Sequence, residues 1–397
     1  MKLLCAGFLA LLLKLLLAAS TSGTNDARTW EHDLTTLRTA GFAELYRSGV
    51  QYRSPAGALL PRQGFIHPPA ILNGLRIIGG LQDTTGLPLR FWLRAACALA
   101  DAGTLALLWG MFRSRTELLI MALSPLSILI SGFHGNTDPI MMFFVVAAVL
   151  FAERSSASRF EIASGAAFGI ACSVKLIPLI FAPAILVCLP GVRPRLKWLA
   201  ASAVVWFTLS LPYMAQEPLL ILRSMLGYGS VTGVWGFSLI SGLLGAGHSY
   251  NPLAKWAALL AASCLPLVVR WRLFAQCGLI AFSFLFLSPG FGLQYLAWTI
   301  PWTILLGRRS MIVYNLVAAA FALSVYAAAS QNTSAGIYAD LLNSLHFPVM
   351  ALMGMVCWIT IAVIIWRLNI ETLWVDRNPA LPATPGVPRS IAAAPDC

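Results

Sequence analysis

Runs of about 18 or more apolar residues, parted by short basic clusters, recur along most of the chain, and this alternation sets what it can fold into. In lipid each backbone polar group must find its partner within its own segment, so such runs become helices. A mean hydropathy of +0.78, with 58% hydrophobic and 11% charged residues, excludes an ordinary soluble globule. The net charge of +12 does not point to nucleic acid. The basic residues sit as RSR, RPRLK, RWR and GRRS between apolar runs, the pattern of positive-inside topology signals, so the lipid bilayer is the expected partner. The eight cysteines lie mostly inside apolar runs without a CxxC pair and read as small core hydrophobes.

The first run, LLCAGFLALLLKLLLAAS, reads as a retained span or as a cleaved leader; Lys14 in its middle favours the span. With a cytoplasmic N-terminus, residues 20–90 form a long extracytoplasmic loop. Its pieces LTTLRTAGFAELYRS and HPPAILNGLRIIGGL suit helices lying along the membrane surface. The decisive stretch is GAAFGIACSVKLIPLIFAPAILVCLP. One continuous helix would bury Lys175 mid-membrane, at a cost of roughly 2.5–3.5 kcal/mol, and would invert every later segment. Two short helices turning at Lys175 and Pro178 keep all later basic clusters cytoplasmic.

This register predicts an all-α polytopic membrane protein of about twelve transmembrane helices, with residues 1–367 as one integral membrane domain. A second large extracytoplasmic loop falls at 213–252, and 368–397 form a disordered cytoplasmic tail. Acids, His, Trp, Tyr and Gln then collect on the extracytoplasmic face.

That face carries the candidate chemistry. SGTNDARTWEHDL gathers Asp26, Glu31 and Asp33 just beyond the first span; it is either a solvated exit loop or the seat of a general base, Asp26. Glu31 is a candidate helper and Asp33 reads as solvated. Partial burial is expected to raise the Asp26 pKa. In FHGNTDP, His134, Asn136 and Asp138 exceed what a tight turn needs and can orient a sugar. Lys175 either snorkels or binds a lipid-linked phosphate, with Arg223, on a surface helix continuing into GYGSVTGVWGF, as a second basic residue for it. Asp101, within a span, reads as a structural hydrogen-bond partner of a neighbouring helix. Gln294 and Tyr295 in SPGFGLQYLAW sit at an outer rim, where an aromatic belt explains Tyr295 but not Gln294. His248 reads as incidental, and Asn332-Thr333-Ser334 is a glycosylation sequon. No metal-ligand spacing stands out. A divalent cation is compatible with Asp26 and Asp33 without being required.

In order and topology these elements resemble the GT-C glycosyltransferases that use polyprenyl-phosphate sugars. The likeness is to the bacterial mannosyltransferase-like branch, and more distantly to the GPI mannosyltransferase catalytic subunit. It rests on TNDARTWEHDL, FIHPPAIL, ADAGTLAL, LSPLSILISGFHGNTDP, GAAFGIACSVKLIP and SPGFGLQYLAW. FHGNTDP departs from the family's more common form, and the acid after Asp26 is displaced to Glu31. The resemblance implies a GT-C fold with Asp26 as catalytic base and His67 among the substrate-binding residues. It also implies inverting transfer of a hexose, mannose favoured, from a lipid-phosphate donor to a glycan, glycolipid or protein, outside a bacterial plasma membrane. Two other readings are a transporter or lipid flippase, against which the absence of a visible repeat counts, and a non-catalytic subunit of an envelope-glycan assembly complex.

Overall fold

A computed structural model describes residues 2–48, 64–112, 115–154, 158–227, 235–244, 252–269, 271–330 and 338–377. His248, the Asn332 sequon, most of GYGSVTGVWGF and the tail beyond Arg377 lie outside them. The helices are α1 (Lys2–Ser20), α2 (Asn25–Thr39), α3 (Gly41–Ser48), α4 (Ile71–Thr85), α5 (Leu89–Met111), α6 (Arg115–Ala122) and α7 (Pro125–Leu129). They continue as α8 (Asp138–Ala152), α9 (Ser158–Val174), α10 (Ala182–Cys188), α11 (Val192–Met214), α12 (Pro218–Leu226) and α13 (Gly236–Leu243). The last four are α14 (Pro252–Val268), α15 (Leu273–Leu287), α16 (Gly307–Ser330) and α17 (Tyr338–Arg377). α17 therefore carries helix past the point where the sequence reading places the disordered tail.

Among the described residues five helical stretches are long and apolar enough to cross a membrane, or six if α11 and α12, bent by 116° at their junction, form one broken span. Four shorter apolar helices of 10–17 residues accompany them. Even with all four crossing, these stretches make at most ten among the described residues, short of the twelve or so expected.

α1 shows how the sequence chooses its faces. Leu4, Phe8, Leu12 and Leu16 recur every fourth residue and are exposed, while Ala6, Ala10, Lys14 and Ala18 on another face are buried. The small side chains let α1 lie close against α5. Lys14 ion-pairs with Asp101 of α5 and donates to Ser127 Oγ of α7 at 2.8 Å, and Ser127 donates to Asp101 at 2.5 Å. Asp101 thus has the interhelical role expected of it, with a cation as its main partner.

α8, α9 and α11 pack as a second close group. Gly165 and Gly169 form a small-xxx-small pair; a Cβ on either would come within 2.4 Å of Trp198 O or 2.6 Å of Ser202 O on α11. Trp198 donates to Ser164 Oγ at 2.9 Å, and Ser164 donates to Ala148 O at 2.7 Å, so one relay ties all three helices. α9 ends at Val174, and after a 3-10 turn at Ile177–Phe181 the chain re-enters as α10, which packs on α14. The interruption falls at Lys175 and Pro178, where the charge argument requires it.

Above this bundle α2, α3, α4 and α12 share a separate apolar cluster that includes Trp30, Leu34, Leu45, Phe65, Leu72, Ile221 and Met225. It is fastened by the Arg47–Glu217 ion pair and by Ser224 donating to Phe65 O at 2.6 Å.

Candidate active site

The polar centre forms where α2 begins. Between α7 and α8 the helix widens into one π turn, Ile130–His134, and stops at Gly135, whose φ of +85° suits glycine. A Cβ there would lie 3.0 Å from Ala27 Cβ, so a side chain would push α2 away. Thr24 donates to His134 O at 2.6 Å and joins the start of α2 to that turn.

Asp26 lies in the first turn of α2, where the helix dipole favours a carboxylate. Asn136 Nδ2 donates to its Oδ2 at 2.6 Å. His134 Nε2 faces the same oxygen at 3.3 Å, off the line of a hydrogen bond. Oδ1 accepts from none of the described residues, and the side chain stays about one-third exposed. Burial pushes this carboxyl upward, but His134, Asn136 and the Lys175 charge outweigh it and bring it down to about 2. The upward shift expected from burial alone is therefore reversed by its partners.

Lys175, freed by the end of α9, donates to Asp138 Oδ2 at 2.5 Å, and Trp298 Nε1 donates to Asp138 Oδ1 at 2.6 Å. Asp138 is wholly buried; Lys175 is slightly exposed. The carboxylate thus anchors the ammonium. His67 packs at a tilt against Trp30, ring centroids 4.7 Å apart. Burial and the Lys175 charge, opposed by Asp26, lower this imidazole to about 3, so it is neutral at physiological pH.

The structure thus brings Asp26, His134 and Asn136 into direct contact and sets Asp138, Lys175 and Trp298 beside them. Tyr295 stacks on Trp298 at 4.2 Å, one side chain removed from Asp138. Glu31 faces Arg90 at 3.4 Å, Gln294 is half-buried beside Gly292, and Arg223 is exposed on α12. No contact among the described residues joins those three to Asp26. Nor do the described residues offer a metal ion a group of three His, Cys, Asp or Glu side chains. Asp26 and Asp33 stand two turns apart, about 10 Å along the helix.

No family model matches the chain, and no curated protein matches it in sequence. The crystal structure of ArnT from Cupriavidus metallidurans in the apo state superposes with a TM-score of 0.50, at 15% identity, over 95% of this chain and 79% of that one. The chain has the GT-C fold. An ArnT structure bound to undecaprenyl phosphate gives 0.49 at 16% identity, over 96% of this chain and 81% of that one.

Two features of the chain escape a reading of sequence alone. Arg94 of α5 is completely buried and donates to Ala18 O at 2.8 Å, Thr21 O at 2.7 Å and Thr21 Oγ1 at 2.8 Å. It satisfies the carbonyls that the end of α1 leaves open and so fixes the approach to Asp26. Asp33, expected to be solvated, is only 6% exposed because α2 turns its 30–33–37 stripe inward. Burial raises its carboxyl to about 7 from a usual 3.8. The folded chain then holds this proton more tightly than the unfolded one. The stabilisation is full below about pH 3.8 and is lost as pH rises through 7. Asp33→Asn is expected to raise the thermal midpoint at pH 8 and leave it little changed near pH 4, a difference of a few kcal/mol. Parallel midpoint-against-pH curves for the two proteins would refute the assignment.

Proposed function

We propose that the chain is an integral membrane glycosyltransferase. In this reading it moves a hexose, mannose favoured, from a polyprenyl-phosphate donor to a glycan, glycolipid or protein acceptor on the extracytoplasmic face. The observation that carries the proposal is the Asp26 carboxylate, held through one oxygen and open at the other, beside an anchored Lys175. The GT-C fold shared with ArnT agrees with it.

In the proposed step an acceptor hydroxyl oxygen attacks the anomeric carbon from the face opposite the lipid phosphate. The new C–O bond forms as the bond to phosphate breaks; the electron pair leaves with the phosphate, and the hydroxyl proton passes to Asp26 Oδ1. Configuration inverts in this single displacement. A carboxylate with a pKa of about 2 is a weak base, so the proton moves late, once the attacking oxygen has become acidic. Lys175 neutralises charge growing on the leaving phosphate. Neutral His67 and Asn136 supply hydrogen bonds to sugar hydroxyls without competing for the proton.

A transported ion would find little purchase in the Lys14–Asp101 pair, whose charges neutralise each other. The test is transfer of label from undecaprenyl-phosphate mannose, glucose and galactose by membranes containing the full chain. Label is expected to move from the lipid phosphate into membrane glycan, glycolipid or protein. No transfer from any of the three would overturn the proposal.

A further inference from the structure

A buried hydrogen-bonding atom without a partner is disfavoured, and native proteins keep few of them. Two residues with such atoms meet at the π turn. His134 Nδ1 and the Tyr326 hydroxyl of α16 have no partner among the described residues, and His134 Nε2 meets only the Asp26 oxygen. Both side chains are buried, Tyr326 at 6% exposure, so bulk water does not serve them. Their rings lie 5.7 Å apart, and Phe133 packs edge-on against Tyr326 at 4.9 Å. The phenol ring is therefore held by its neighbours while its polar end is left unused. Ser131 Oγ is unpartnered on the same turn but belongs to a separate small cavity, lined also by Asp101 and Thr104.

A phenol can do there what a phenylalanine cannot: donate to, or accept from, a ligand's oxygen. In the proposed function Lys175 takes the phosphate, which leaves the sugar hydroxyls as the groups this side chain meets. His134, the ring beside it, faces the Asp26 carboxylate at 3.3 Å, so a group held by Tyr326 is held next to the base. We infer that Tyr326 is a substrate-contact residue whose hydroxyl bonds a sugar hydroxyl beside Asp26. The inference rests on the glycosyltransferase reading and adds to it a contact from α16, far along the chain from the first loop. The sugar is that of the donor or that of the acceptor.

Tyr326→Phe removes one oxygen and keeps the ring that packs on Phe133. In the transfer assay with undecaprenyl-phosphate hexoses, this variant of the full chain is expected to lose about 10-fold in kcat/KM. A rise in the KM for the lipid-phosphate hexose assigns the contact to the donor. A fall in rate at unchanged donor KM assigns it to the acceptor. The thermal midpoint is expected to stay level or rise, because an unpartnered hydroxyl has been removed. Wild-type kinetics in the variant would overturn the inference and leave the proposed function standing. A clearly lowered midpoint would also overturn it, by showing that the hydroxyl is bonded within the protein. Absence of transfer by the wild-type chain would overturn both.

Discussion

Asp26→Asn is expected to abolish measurable glycosyl transfer, with a loss of about 10²–10⁴-fold, while leaving the fold intact. The substitution keeps an oxygen that can accept from Asn136 Nδ2, the bond made at 2.6 Å in the wild type. It keeps the volume and the place in the first turn of α2. What it removes is the negative charge facing His134 and the ability to take a proton. Transfer of label measured beside the thermal midpoint separates these effects. Full activity in the variant would remove Asp26 from the chemistry, and a collapsed midpoint would recast it as a structural group. Because the wild-type carboxyl sits near 2, it is ionised across the physiological range, so any acid limb of activity above about pH 4 must come from another group.

Lys175→Met should cost both stability and activity, and a second substitution should divide the two. Asp138 is wholly buried, and Lys175 and Trp298 are its hydrogen-bond partners. Without the ammonium its charge is left to one indole N–H, and breaking a buried pair from one side typically costs about 3–5 kcal/mol. Adding Asp138→Asn removes the stranded charge and is expected to restore most of the thermal midpoint. Transfer should not return, because the cation proposed for the leaving phosphate is still missing. A single variant as stable as the wild type would show that the pair does not anchor this region. A double variant with full transfer would show that Lys175 takes no part at the phosphate.

The break at Lys175 was legible because a lysine within an apolar run has a large and calculable penalty, and the later basic clusters agree on where the chain must turn. Asp26, Asn136 and His134 were legible as polar islands in an apolar sequence. The sign of the Asp26 shift was not, since it depends on which partners fold against the carboxylate. Asp33 was misread because its neighbours in sequence are polar, whereas its neighbours in space are set by the inward face of α2. Arg94 looks like any basic residue near the mouth of a span until the end of α1 is seen to rest on it. Trp298 carries the same letter whether it floats in an aromatic belt or donates to Asp138. Tyr326 stands in an apolar stretch whose nearest polar neighbours in sequence are serines, and only the packing of α16 on the π turn brings it to His134. Lys14 and Asp101 were each conspicuous, but nothing local paired them.

That pairing has a consequence for how the protein is made. Lys14 and Asp101 are 87 residues apart in the chain. At ordinary rates of synthesis the lysine therefore leaves the ribosome roughly 4–17 s before the aspartate that neutralises it. Throughout that interval the first helix carries an unmatched charge that disfavours its release into lipid. Pairing with Asp101 removes that penalty, so the two helices are expected to be stable in lipid as one neutral unit.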